Sequence, residues 1–219
     1  MTCLSLSVKT EHDFEVEICQ TGVSTHAATK DSLDNRAICY LYPKSIVMWS
    51  EFRLQDLLRY LVFDHNFKHN LRSTAYYGQY RYTYSNTTHQ PQPIKNNLYI
   101  QRFVDMLNEL FPFSGINSVL VNYYPDNSSR LPFHSDNEPE ICKKSYIFTL
   151  SLGSNRYIAF RNAATKQTVA TVKLRHGALM LFSRTSQEYF EHSILPQTEP
   201  TTSSYRISLT FRCVINKVF

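Results

Sequence analysis

Two residues with metal-binding side chains, His134 and Asp136, lie two positions apart in the stretch LPFHSDNEPE, residues 131–140. On a β-strand, residues i and i+2 point to the same face, about 7 Å apart along the backbone. An imidazole and a carboxylate would therefore share one face, with side chains able to converge. His192, in the strand-like stretch YFEHSIL, is the natural third ligand. We take these three as candidate catalytic and metal-binding residues.

Two histidines and one carboxylate on a single face are typical of one class of metal site. They leave three positions of the metal open, which is the arrangement of the non-haem Fe(II) oxygenases. Histidines also serve as hydrogen-bonded structural residues, and the triad alone does not separate the two interpretations.

A strand near the end of the sequence, SYRISLTFR, adds a second chemical feature. Its apolar residues alternate with a polar face made of Arg206, Ser208, Thr210 and Arg212. The two arginines are about 20 Å apart along an extended strand. Because a guanidinium meets a carboxylate through two parallel hydrogen bonds, this pair can hold the two ends of a small dicarboxylate. A solvated polar face, the alternative, would carry lysine and glutamate as readily.

Hydrophobic periodicity predicts two helices followed by strands. The first helix would begin near Ser50 and continue through Val62, and the second would cover residues 96–111, with Pro112 just past its end. From residue 116 the period changes to two, in at least six segments of about six to ten residues. This order favours an α+β fold, an antiparallel sandwich or jelly roll with two helices buttressing one sheet.

Composition bounds the class of protein. A chain of 219 residues with 42% hydrophobic residues is long enough for one well-buried domain. It has no apolar run of about 18 residues, so no membrane span is expected, and no secretory signal is visible at MTCLSLSVKT. Five scattered cysteines favour a reducing compartment. The net charge of +5 and the 15 tyrosines suit a nucleic-acid partner.

Taken together, the motifs resemble those of the AlkB-type Fe(II)/2-oxoglutarate dioxygenases. That family has an H-x-D pair, a later histidine and a closing strand of the form R-x-N-x-T-x-R. NYYPDNSSRLPFHSDNE is similar to the family's N-x-Y strand leading into the metal motif, and TAYYGQYRYTYS to the lid of homologues that act on single strands. The likeness covers roughly residues 70–213.

The resemblance implies a double-stranded β-helix, or jelly roll, in which His134, Asp136 and His192 bind Fe(II). The cosubstrates would be 2-oxoglutarate and O2. By the same resemblance, the dioxygenase domain would span residues 46–219, with a lid over 72–95.

The resemblance also assigns the cosubstrate contacts. Arg206 would bind the remote carboxylate of 2-oxoglutarate, helped by Asn122 and Tyr124, while Arg212 would steady the end nearer the metal. Ser208 stands where the family has asparagine, so one amide contact to the cosubstrate is lost.

For the substrate, the resemblance implies oxidative demethylation of N-alkylated bases in single-stranded RNA or DNA, with release of formaldehyde. The base must leave its stack to reach the iron. Tyr76, Tyr82 and Tyr84 of the lid would stack on it or reach a phosphate, and Glu138 would face it. For each tyrosine, ordinary core packing is the alternative, as a surface carboxylate is for Glu138.

The resemblance leaves the setting of the enzyme open. Residues 1–45 match no recognised motif and would form an N-terminal extension. We expect a monomer in the cytoplasm or nucleus, or in the host cytoplasm if the protein is viral, since FHSDNE is similar to AlkB domains of plant RNA virus polyproteins. The preferred nucleic acid and the methylated base are not predicted.

Two other functions are compatible with the motifs. One is a 2-oxoglutarate-dependent hydroxylase of protein side chains, against which the Tyr-rich lid weighs. The other is a non-catalytic nucleic-acid-binding jelly roll, against which the full set of ligands and arginines weighs.

Overall fold

The computed structural model describes residues 52–63, 72–84, 87–197 and 205–216, and the backbone of three short strands before them. The strands are β1 (Ser5–Ser7), β2 (Glu17–Cys19), β3 (Cys39–Tyr42), β4 (Ser73–Gly78), β5 (Tyr82–Tyr84), β6 (Thr87–His89), β7 (Ser118–Tyr124), β8 (Leu131–His134), β9 (Ile147–Gly153), β10 (Arg156–Asn162), β11 (Thr168–Leu174), β12 (Ala178–Phe182), β13 (Phe190–Ile194) and β14 (Arg206–Arg212). The helices are α1 (Leu54–Arg59), α2 (Leu98–Leu110) and α3 (Ser186–Tyr189), with a 3-10 turn at Ile94–Asn96. Among the helices described, none has the length and apolar character needed to cross a bilayer.

The larger sheet contains six antiparallel strands in the order β3-β12-β9-β14-β7-β4. Strand β14 lies inside this sheet, paired with β9 on one side and β7 on the other. All seven of its residues are buried. The polar face predicted for this strand is therefore turned into the protein and is not a solvated surface.

The smaller sheet contains four antiparallel strands in the order β11-β10-β13-β8. It shares one apolar cluster with the larger sheet, to which it contributes Ile158, Phe160 and Ile194, while the larger sheet contributes Leu120 and Phe182. Two antiparallel sheets enclosing a common core form the jelly roll, so the predicted fold class is confirmed.

The two predicted helices cover the other face of the larger sheet. Phe103 and Leu107 of α2 and Leu57 of α1 share a second core cluster with Phe211 of β14. The rings of Phe103 and Phe211 meet edge to face at 6.4 Å. Asn97 caps α2, since its side-chain oxygen accepts hydrogen bonds from the first backbone N–H groups. The helices thus buttress one sheet, as predicted.

Helix α1 is shorter than its hydrophobic pattern predicts. The pattern continues to Val62, but the helix ends before Tyr60. There the Tyr60 carbonyl accepts a hydrogen bond from the Asn97 side chain, and the Val62 N–H donates to the hydroxyl of Tyr77. Tertiary hydrogen bonds therefore replace the next helical turn. The predicted start at Ser50 lies outside the described residues.

Part of the predicted N-terminal extension pairs with the larger sheet. Strand β3, within residues 1–45, runs along β12 at the sheet edge, while β1 and β2 form a separate two-stranded ladder. The boundary at residue 46 stays a prediction, but β3 contributes backbone pairing to the fold.

The segment predicted as a lid, residues 72–95, is anchored at both ends. Its first part, β4, is the edge strand of the larger sheet beside β7. Strands β5 and β6 form a hairpin, and Gln92 then returns to pair with Tyr77. This anchoring holds the lid tyrosines next to the space between the sheets.

Candidate active site

The three predicted metal ligands come together between the sheets. His134 ends β8 and His192 lies directly opposite it on β13, with ring centroids 4.3 Å apart. Asp136 follows β8 by two residues, and its carboxylate lies 3.9 Å from His134 Nε2. One ligand atom from each residue lies within 4.8 Å of the other two. This spacing allows all three side chains to bind one metal ion.

Both histidines are held in the neutral form that binds metals. Burial, with a smaller contribution from His134, lowers the pKa of His192 to about 3. Burial also lowers the pKa of His134. His134 Nδ1 lies 2.9 Å from the carbonyl of Pro132. A proton on Nδ1 donated to that carbonyl leaves Nε2 with a free lone pair for a metal.

Asp136 is held as a carboxylate by an arginine. Burial alone would raise its pKa, but the charge and hydrogen bond of Arg212, together with the smaller effects of His134 and His192, lower the pKa to about 2. Arg212 Nη2 lies 2.9 Å from Asp136 Oδ1. The sequence placed Arg212 at the metal-proximal end of the cosubstrate and did not predict its pairing with Asp136. Arg212 also lines the pocket. Its predicted contact with the cosubstrate stays a prediction.

The backbone of Asp136 is fixed by two residues that the sequence analysis did not single out. The side-chain carbonyl of Gln187 accepts a hydrogen bond from the Asp136 N–H at 2.9 Å. Arg184 donates to the Asp136 carbonyl at 3.0 Å and to the side chain of Asn137. Both belong to the segment at α3, shortly before His192. Their polar character was visible in the sequence, but nothing in it indicated a contact some 50 positions away.

Arg206 presents an unfilled fork of hydrogen-bond donors. It is 0% exposed, and its Nε donates to the hydroxyl of Ser151 at 2.9 Å. Its Nη1 and Nη2 have no hydrogen-bond partner in the described part of the chain. The guanidinium carbon lies 5.1 Å from the ring centre of Tyr124. A buried charge with two open donors requires an anion, and a carboxylate matches this fork.

The other predicted cosubstrate residues lie beside Arg206 in the same region. Asn122 and Ser208 are direct partners across β7 and β14, as are Tyr124 and Arg206. Asn122 Oδ1 is buried and lacks a partner within the described ranges. Asn122, Tyr124 and Ser208 line one pocket together with the three metal-ligand candidates. The pocket contains about 390 Å³ of empty space, including solvent at its mouth.

These residues fit an iron ion and a dicarboxylate. The donor set of two imidazoles and one carboxylate suits Fe(II). The open guanidinium of Arg206 supplies the hydrogen-bond donors that a carboxylate of a keto acid needs.

The predicted base-binding tyrosines form a buried series of rings next to the metal centre. Tyr76 and Tyr82 lie 5.6 Å apart, Tyr82 and Tyr84 lie 6.3 Å apart, and Tyr84 meets His134 edge to face at 5.9 Å. The Tyr76 hydroxyl donates to the Tyr80 carbonyl. In this state the three lid tyrosines pack against one another inside the protein, and their contact with a base stays a prediction.

Glu138 is also partly buried beside the site. Burial, followed by the nearby charge of Asp136, raises the pKa of Glu138 to about 7. Its Oε2 has no hydrogen-bond partner among the residues described. Glu138 therefore has an acceptor available for a ligand, and its contact with a base stays a prediction.

Comparison with known proteins agrees with this geometry. The family model described as the 2OG-Fe(II) oxygenase superfamily matches residues 45–212. This range contains all the metal-ligand candidates and both arginines of β14. The resemblance to AlkB-type dioxygenases is also borne out by the relatives.

Alpha-ketoglutarate-dependent dioxygenase alkB homolog 3 from Bos taurus is 31% identical over 153 residues, which cover 65% of this chain and 51% of that protein. DNA oxidative demethylase ALKBH2 from Mus musculus is 31% identical over 153 residues, covering 66% of this chain and 62% of that protein. The chain thus spans about half the length of the alkB homolog 3 relatives. A solved structure described as "The structure of OsALKBH1" aligns with 65% of this chain and 78% of that one, at a TM-score of 0.49 and 18% identity.

Proposed function

The chain belongs to the 2OG-Fe(II) oxygenase superfamily, and from that premise we propose that it oxidatively removes N-methyl groups from bases of single-stranded nucleic acid. The observation that carries the proposal is that His134, Asp136 and His192 line one pocket with Asn122, Tyr124 and Ser208. These last three residues lie beside Arg206, whose two guanidinium nitrogens are open. This arrangement provides for a metal and a keto acid side by side.

The substrate class is supported by the relatives and by the lid. One relative is named a DNA oxidative demethylase and another an alkB homolog. Tyr76, Tyr82 and Tyr84 belong to the lid and form a series of rings that reaches the metal centre, and aromatic rings are the side chains on which unstacked bases are held. Glu138 adds an acceptor that favours a cationic methylated base or an exocyclic amine.

In this proposal His134, Asp136 and His192 hold Fe(II), and Arg206, Asn122, Tyr124 and Ser208 hold 2-oxoglutarate. Bound together with O2, iron and 2-oxoglutarate supply the oxidation of the N-methyl carbon.

The chain's own residues then do three things. Arg212 and Gln187 fix the carboxylate and backbone of Asp136. The apolar cluster of the two sheets limits the access of water. The tyrosines and Glu138 orient the base. The hydroxymethyl product then breaks its N–C bond, releasing formaldehyde and the unmodified base.

The test is a product assay on a panel of single-stranded RNA and DNA oligonucleotides, each carrying one N-methylated base. The protein is incubated with Fe(II), 2-oxoglutarate and ascorbate, and succinate, formaldehyde and oligonucleotide mass are measured. We expect equal amounts of succinate and formaldehyde with at least one substrate. Comparing the yields from the RNA and the DNA oligonucleotides shows which nucleic acid the enzyme prefers.

The His134→Ala variant is the matched control and should lose both products. Substrate-stimulated succinate without formaldehyde on every oligonucleotide would reject demethylation and favour a protein hydroxylase. Full activity in the His134→Ala variant would remove that residue from the metal site.

A further inference from the structure

Arg72, just before β4, is a buried cation whose donors are not satisfied. It is 6% exposed, and its Nε and Nη1 have no hydrogen-bond partner anywhere in the described residues. Its guanidinium carbon lies 5.7 Å from the ring centre of Tyr84. Leaving a charged donor buried and unpaired is costly, so such a group is retained where a ligand completes its hydrogen bonds.

The position of Arg72 points to the substrate side of the active site. Tyr84, the ring beside it, lines the pocket and meets His134 edge to face. Arg206 therefore faces the cosubstrate residues, whereas Arg72 lies at the start of the lid segment, beside Tyr84.

Among the described residues, no carboxylate forms an ion pair with Arg72. The buried carboxylate of Asp136 is paired with Arg212. The cosubstrate carboxylate is assigned to Arg206, whose own donors are open. An anion that arrives with the substrate can complete the hydrogen bonds of Arg72, and the anion that accompanies every base of a nucleic acid is its phosphodiester.

We propose that Arg72 binds a backbone phosphate adjacent to the base held in the pocket. The inference rests on the proposed function for the identity of the substrate. The planar fork of arginine matches two phosphate oxygens, and in the free protein the guanidinium lies against the ring of Tyr84. Its long, flexible stem carries the fork to a phosphate at the pocket mouth by a change of rotamer.

The experiment measures binding and does not require turnover. An unmodified single-stranded oligonucleotide is titrated by fluorescence anisotropy at several NaCl concentrations, with Mn²⁺ in place of iron and 2-oxoglutarate present. The variants are Arg72→Gln, which removes the charge at similar length, Arg72→Lys, which restores it, and Arg175→Gln, at an exposed arginine, as matched control.

For Arg72→Gln we expect weaker binding, several-fold at low salt, and a slope of log K against log salt that is less steep by about 0.7, the value of one phosphate contact on a single strand. Arg72→Lys should recover the slope but only part of the affinity, because it lacks the fork. Arg175→Gln should match the unaltered protein. Thermal unfolding should show that Arg72→Gln is folded, since it removes an unpaired buried charge.

Three results would overturn the inference: equal salt slopes for Arg72→Gln and the unaltered protein, no oligonucleotide binding by the unaltered protein, or a loss confined to 2-oxoglutarate affinity. The failure of the proposed function is recognised separately. If no methylated oligonucleotide is demethylated while the salt slope still depends on Arg72, the phosphate contact stands and the demethylase assignment falls.

Discussion

The guanidinium of Arg212 lies 2.9 Å from the carboxylate of Asp136, and each side chain is only 4% exposed. Arg212 ends β14 of the larger sheet, whereas Asp136 follows β8 of the smaller one. The ion pair therefore connects the two layers at the metal centre. It also keeps Asp136 charged in surroundings that would otherwise favour the neutral acid.

Changing Arg212 to Met should weaken metal binding about 10- to 100-fold, the usual effect of losing the partner of a metal ligand. Arg212→Lys keeps the charge and should lose less. Mn²⁺ titration by calorimetry measures both. Since breaking a buried pair costs about 3–5 kcal/mol, circular dichroism must first show that each variant is folded. Unchanged Mn²⁺ affinity in a folded Arg212→Met protein would show that the pair does not support the site.

Replacing Gln187 with Met should leave the Asp136 N–H buried without an acceptor. We expect a loss of about 1–3 kcal/mol in the free energy of unfolding, together with weaker Mn²⁺ binding because the Asp136 backbone is no longer fixed. Urea denaturation and metal titration provide the two measurements. The neighbouring exposed Glu188, changed to Gln, serves as the control. If the two variants behave alike in both assays, the contact has no positioning role.

The Arg206→Met variant should lose affinity for 2-oxoglutarate by at least a factor of ten while keeping its affinity for Mn²⁺. The reason is that the two open nitrogens of Arg206 would no longer meet a carboxylate. Ser208→Ala, in the same pocket, should change cosubstrate affinity far less. Calorimetric titration of 2-oxoglutarate into the Mn²⁺-loaded proteins separates the two effects. A parallel loss of metal binding would instead indicate collapse of the pocket.

Asp126 should make stability depend on pH. It lies in the turn between β7 and β8, where hydrogen bonds from Ser128, chiefly its hydroxyl, and from Ser129 lower the pKa of the carboxyl. A lowered folded-state pKa adds stability that is present above the ordinary value of about 3.9 and is lost as the pH falls through the folded value.

The metal-free Asp126→Ala variant should therefore be less stable than the unaltered protein at pH 7, and the difference should shrink below about pH 4. Urea unfolding at a series of pH values measures it. A difference that stays constant with pH would contradict this assignment.

Much of the site could be anticipated because strand periodicity defines faces. The spacing of His134 and Asp136, and the alternation from Arg206 to Arg212, indicated which side chains point together. The alternation could not show whether the polar face of this last strand is exposed to solvent or buried. This depends on β14 having neighbours on both sides, which is a property of the whole sheet.

The remaining features depend on contacts between distant parts of the chain. Register between strands decides that His192 faces His134, and folding of the α3 segment against the metal loop decides that Gln187 meets Asp136. Helix α1 is short for the same kind of reason, because Asn97 and Tyr77 take the backbone groups that another turn would need. Single-sequence patterns contain no information on such partners.

The division of the site between two layers has a physical consequence. His134 and His192 belong to the four-stranded sheet, whereas the residues predicted to bind the cosubstrate belong to the six-stranded one. A bound metal with its keto acid would therefore connect the two sheets. A ligand bound by both sheets opposes their separation. The protein with metal and keto acid bound must therefore unfold at a higher temperature than the unliganded protein.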